Sequence, residues 1–170
     1  MHVFQPYPIE SIEIDPFTKL DKEWAEVVTK NGTGANAMTV SWGGFGTMFN
    51  KPVATLYVRE SRYTRELLDQ DGHFSLCFLD EKYKKEMGFL GNVSGRDENK
   101  IAEARLHVGL FDDVPYIDEA NLVIVCRTIA KTPLPVEDVI DKDYAEKFYP
   151  TGDFHNIYIC EIEKIYVNGK

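Results

Sequence analysis

The tightest constraint in this chain is a set of short runs, rich in β-branched and aromatic residues, that do not alternate with helices. Residues 53–58 (VATLYV), 74–79 (FSLCFL), 122–126 (LVIVC) and 157–162 (IYICEI) each have strand length and are bounded by turn chemistry. A doubly wound sheet needs a crossover helix after nearly every strand, and this pattern lacks them. The expected fold is therefore mainly β: an antiparallel barrel with a few short inserted helices. Residues 25–42 read best as two strands around Asn31-Gly32-Thr33-Gly34, whose glycines permit positive φ. A helix over 21–30 fits the spacing of Trp24, Val27 and Val28 almost as well. The hairpin is preferred because Val27-Val28-Thr29 is β-branched and the glycine turn follows at once.

Four helices are expected. The first is capped by Ser61 or Thr64 and stops near Gly72; the others cover about 80–89, 98–105 and 142–149. Pro133-Leu134-Pro135 marks a rigid surface connection, and with 170 residues and no linker the chain 1–170 reads as one domain.

Composition narrows the partners. With 19 basic against 28 acidic residues the net charge is −9, which argues against broad nucleic-acid binding but leaves room for a local cationic pocket. No apolar run is long enough for a membrane helix, and the start of the chain lacks the basic and apolar regions of a signal peptide. Cys77, Cys126 and Cys160 are odd in number, far apart and set in apolar contexts, as expected of reduced core thiols in a cytoplasm. The four histidines form no ligand-spaced cluster, so no metal site is expected.

Three segments carry candidate chemistry. In the first, Asn36, Thr39 and Ser41 offer hydrogen-bonding groups beside Met38, Val40 and Trp42, ahead of the glycine-rich turn Gly43-Gly44-Phe45-Gly46. The second, Arg59-Glu60-Ser61-Arg62-Tyr63-Thr64-Arg65, sets guanidiniums and hydroxyls at a strand-to-helix junction, where free N–H groups and the helix dipole favour an anion. The competing reading is a capped helix whose arginines pair with Glu60, Glu66 and Asp69. The third is a polar loop, Ser94-Gly95-Arg96-Asp97, followed by Lys100. His155 lies near the last strand without an assigned role.

Together and in this order, the segments resemble the flavin-reductase-like, FMN-binding split-barrel family. Residues 36–42 match its flavin-contacting strand, Lys51-Pro52 and residues 58–64 its phosphate-binding turn, and Ser94 to Asp97 with Lys100 its third flavin-contacting loop. The resemblance implies a Greek-key split β-barrel that pairs as a homodimer and holds FMN. It assigns FMN contacts to Asn36, Met38, Thr39, Val40, Ser41, Trp42, Arg59, Ser61, Arg62, Tyr63, Thr64, Ser94, Gly95, Asp97 and Lys100. It also implies NADH or NADPH as hydride donor, with no catalytic acid or base required of the protein. Two other readings stand beside flavin reduction. One is flavoredoxin-like electron transfer to a protein partner, with tightly held FMN. The other is a non-redox module that binds a different phosphorylated ligand.

Overall fold

A computed structural model describes residues 1–169. Among the described residues ten strands and five α-helices follow one another as β1 (Phe4–Tyr7), α1 (Pro16–Thr18), β2 (Ala25–Asn31), β3 (Gly34–Val40), β4 (Gly43–Met48), β5 (Lys51–Arg59), α2 (Tyr63–Gln70), β6 (His73–Leu79), α3 (Lys84–Asn92), α4 (Lys100–Glu103), β7 (Val108–Phe111), β8 (Val114–Ile117), β9 (Ala120–Pro133), α5 (Lys142–Phe148) and β10 (His155–Asn168). One antiparallel sheet runs in the order β3-β2-β6-β9-β10-β5-β4, with β1 added along β10, and β7-β8 forms a separate hairpin. The mainly β, barrel-like expectation holds.

Hairpin β2–β3 forms as its β-branched run suggests, with Gly32 at φ +60° in the turn. The central strands are apolar on both faces because both are covered. Val27, Leu76 and Ile124 face one core with Leu56, Phe74 and Tyr158. Their neighbours Val28, Cys77 and Val123 face a second core, closed by Met87 and Leu90 of α3, Ile101 of α4 and Ile117 of β8. All three cysteines are free and buried in these cores.

The structure corrects two expectations. Neither Ser61 nor Thr64 caps α2: Arg62 holds the N-cap position with no side-chain cap, and the Thr64 hydroxyl accepts a hydrogen bond from Asn36 instead. The glycine-rich stretch after Trp42 is not a turn but strand β4, held extended by pairing with β5. β10 is an interior strand: it lies between β9 and β5, and its alternate residues are buried.

One topological detail positions the site. β3 and β4 occupy opposite ends of the hydrogen-bonded path, yet only Ser41 and Trp42 separate them in sequence. The sheet must therefore curl until its two free edges approach each other at this corner. The outer edge of β3 is left with backbone groups that no strand pairs.

Candidate functional site

A cleft of about 250 Å³ opens at that corner, lined by Met38, Thr39, Val40, Ser41 and Trp42, by Tyr57, Val58, Arg59 and Arg62, and by Gly91 and His155. β3 and the β3–β4 link supply one wall. The end of β5 supplies the opposite one, and α3 and the start of β10 close the sides.

The arginines divide by role. Arg65 lies among Glu60, Glu66 and Asp69, Arg96 pairs with Glu66, and Arg127 with Glu161 and Glu163. Arg59 and Arg62 make no ion pair among the described residues. Arg59 donates from Nη1 to the Asp153 carbonyl at 2.8 Å and from Nη2 to the Phe148 carbonyl at 3.1 Å. Arg62 donates from Nη2 to the Gly91 carbonyl at 2.9 Å, and its Nε lies 3.1 Å from the Met38 sulfur. Burial pushes the Arg62 guanidinium down from its ordinary value; the nearby Asp153 carboxylate opposes this and the Arg59 charge adds to it. Two positive charges held by carbonyls and not by carboxylates form a site with unspent attraction for an anion. The uncapped start of α2 adds free amides beside them.

His155 stands against Arg59 in the β10–β5 register. Its Nδ1 lies 2.6 Å from the Tyr149 hydroxyl, and its ring centroid is 5.2 Å from that of Trp42. Burial, with the Arg59 charge beside it, pushes the imidazole down to about 4, so it is neutral near pH 7.

The remaining candidate residues sit elsewhere. Ser61 does not line the cleft: its amide and hydroxyl donate to the Asp153 carboxylate at 3.0 and 2.6 Å. Through Asp153, whose carbonyl receives Arg59, it positions the cleft indirectly. Tyr63 donates from its hydroxyl to Asn31. Asn36 and Thr64 are buried and bonded to each other at 3.0 Å, while Asn36 Oδ1 is left without a partner. Gly95 packs so closely on Asn36 that a Cβ there would fall 1.9 Å from Oδ1. Gly95, Asp97 and Lys100 line a second depression next to Asn36, and the Ser94 hydroxyl accepts from the Arg96 amide. The Lys100 ammonium is buried and donates to the Leu90 and Val93 carbonyls at 2.8 and 2.9 Å.

Sequence reading assigned no role in the site to Tyr57, Gly91 or His155, and Val58 entered only as the first residue of the expected phosphate-binding turn. Tyr57 could have been found from strand alternation with Arg59. Gly91 and His155 reach the cleft through long-range packing that no local pattern announces.

Two properties bound the chemistry. Burial pushes the Cys77 and Cys160 thiols up to about 12, and Cys126 is also raised, so none is poised as a nucleophile. No helix among the described residues is long and apolar enough to cross a membrane.

Comparison with known proteins places this architecture. An uncharacterized protein of Aeropyrum pernix is 29% identical over 144 residues, covering 82% of this chain and 48% of its own length. The chain thus spans about half of that curated relative. Flavoredoxin from Methanosarcina acetivorans has a similar fold, with a TM-score of 0.69 at 22% identity, covering 86% of this chain and 68% of that one. The FMN-binding domain of a flavin reductases-like enzyme from Shewanella baltica OS155 gives a TM-score of 0.70 at 15% identity, covering 98% and 78%. The flavin reductase like domain family matches residues 23–170, and the chain belongs to that family.

Proposed function

We propose that the chain binds FMN in this cleft and reduces it with NADH or NADPH. The observation that carries the reading is the pair Arg59 and Arg62, charged, without carboxylate partners, at one end of a cleft walled by Met38, Val40 and Trp42. Cationic groups beside an apolar wall suit a flat ring that carries a phosphate. Shewanella baltica and Methanosarcina acetivorans proteins of similar fold, described as FMN-binding and as a flavoredoxin, support a flavin over other phosphorylated ligands.

The residues present fit that ligand. Arg59 and Arg62, with the first amides of α2 at Tyr63 and Thr64, would hold the phosphate. Backbone groups on the open edge of β3, from Asn36 to Ser41, would bond the polar edge of the ring, while Met38 and Trp42 contact its apolar part. Ser94, Gly95, Asp97 and Lys100 would enclose the ligand from the loop side.

When bound, FMN supplies the redox chemistry, accepting a hydride from the nicotinamide at its N5. The protein then needs only to bind, orient and exclude water. Neutral His155, fixed by Tyr149, lines the cleft without being required as an acid. Purified protein loaded with FMN should lose its flavin absorbance anaerobically on adding NADH or NADPH. His155→Ala should raise the nicotinamide KM without the roughly 10²- to 10⁴-fold loss at saturation typical of a missing general acid or base. Protein that stays colourless after FMN is added would refute flavin binding. Bound FMN that responds to neither nucleotide, yet is reduced by a reduced protein donor, would mark an electron carrier.

We further propose a homodimer. Trp42 at 42% exposure, Phe49 at 66% and Tyr144 at 60% put large apolar groups in water, and β4 has an unpaired outer edge. Light scattering should give twice the 19.5 kDa of one chain, and a monomer mass throughout the micromolar range would count against the pairing.

A further inference from the structure

Behind the cleft wall lies a carboxyl group with no obvious purpose. Glu26, on β2, is fully buried between its register partners Thr39 of β3 and Cys77 of β6. The Thr39 hydroxyl is within hydrogen-bond distance of two oxygens, Glu26 Oε1 and the Met87 carbonyl of α3. Among the described residues Glu26 Oε2 has no hydrogen-bond partner.

Counting hydrogens settles the direction of this chain. A hydroxyl carries one hydrogen, and a carbonyl oxygen carries none. If Thr39 donates to Met87, its contact with Oε1 can be a hydrogen bond only when the carboxyl supplies the hydrogen. An ionised Glu26 would draw the Thr39 hydrogen to itself, leaving two lone pairs facing each other at Met87. It would also strand a charged oxygen without a donor.

We propose that Glu26 is a positioning residue for the cleft: as a neutral acid it donates to Thr39, which in turn fastens α3 through Met87. The anchorage matters because α3 supplies Gly91, whose carbonyl receives Arg62 and which itself lines the cleft. A Cβ at Gly91 would stand only 3.2 Å from Thr39 Cβ, so helix and strand are already in close contact there.

The electrostatic surroundings agree. Burial pushes the Glu26 carboxyl up to about 8, with the Thr39 contact and the charge of Lys100 acting against it. The charged and titratable groups around it are Lys100 on α4, Cys77 on β6 and, beyond Lys100, Arg62. Lys100 is itself lowered to about 8 by burial and by Arg62, so its titration must be kept apart from that of Glu26. The proposal takes the cleft to be a flavin site, and its test separates the two ideas.

The first measurement needs no ligand. Infrared difference spectra near neutral pH should show the carbonyl stretch of a buried, protonated carboxylic acid, absent in Glu26→Gln. Hydrogen exchange of the α3 amides should quicken in Thr39→Val and stay as in the wild type in Glu26→Gln, whose amide can still donate to Thr39. The second measurement uses riboflavin, which lacks the phosphate; a slope owed to Lys100 would persist in Glu26→Gln. Riboflavin affinity for the wild type should fall by up to about tenfold per pH unit above roughly pH 8, and that slope should vanish in Glu26→Gln. Absence of the carboxyl band, or a Glu26→Gln profile that follows the wild type, overturns the proposal. If neither riboflavin nor FMN binds at any pH, the flavin reading falls, and the infrared and exchange results alone decide the role of Glu26.

Discussion

Arg62→Ala is expected to weaken FMN by about 10- to 150-fold while leaving riboflavin nearly unchanged. Each charge-assisted contact to a phosphate contributes roughly 1.5–3 kcal/mol, and that range converts to this loss. Arg62 is the better choice of the two arginines because it is bound by a single carbonyl and a sulfur, whereas Arg59 ties together the segment from Phe148 to Asp153. Titrating both flavins by fluorescence quenching separates a phosphate contact from a folding defect. Equal losses for the two ligands would assign Arg62 to holding α3 in place through Gly91.

Gly43→Ala is the second large effect. A Cβ at this position would lie 2.5 Å from the Thr55 carbonyl oxygen and 3.5 Å from Leu20 Cδ1. The obstacle is backbone of β5, held between β4 and β10, so it cannot turn aside as a side chain would. Crowding of this kind costs about 1–3 kcal/mol, or roughly 2–10 °C in Tm for a chain of this size. Trp42 immediately precedes the strand, so flavin affinity should fall with stability. The control is the adjacent Gly44→Ala: nothing lies within 4 Å of a Cβ there, and its effect should stay within about 0.5 kcal/mol. If both variants melt alike, the close approach of β4 to β5 is not what demands glycine.

What could be read from the sequence follows from what is local. The β2–β3 hairpin was legible because a β-branched run meets a glycine that needs φ +60°. The two-sided strands were legible as unbroken apolar runs. β4 was not, because Gly43, Gly44 and Gly46 carry no strand propensity of their own and owe their conformation to β5. The β7–β8 hairpin was missed for a related reason: it contains Gly109 and Pro115, and its turn uses Asp112 and Asp113 at positive φ in place of glycine.

The candidate site divides the same way. A cluster of arginines between a strand and a helix is visible in sequence, but Arg65 carries the same side chain as Arg62 only three residues away. Only the phase of α2 turns Arg65 outward to its carboxylates and leaves Arg62 against Met38 and Gly91. Ser61 looked equally suited to a phosphate and is instead held by Asp153, a partner from the far end of the chain. Glu26 escaped notice because a glutamate between Ala25 and Val27 suggests a solvent-facing position; the second core, which covers the other face of β2, is invisible locally.

The union of Arg59 with the region around β10 has a kinetic consequence. Arg59 is fixed by the carbonyls of Phe148 and Asp153 and stands beside His155 in register, all contacts of very long sequence separation. Such contacts form slowly, since a large loop must be closed before any of them exists. A nascent or unfolding chain therefore offers a ligand no cleft until the last strand has docked. Ligand that arrives afterwards stabilises only the finished molecule, by mass action. Flavin supplied during synthesis would accordingly raise the amount of protein that survives without hastening its assembly.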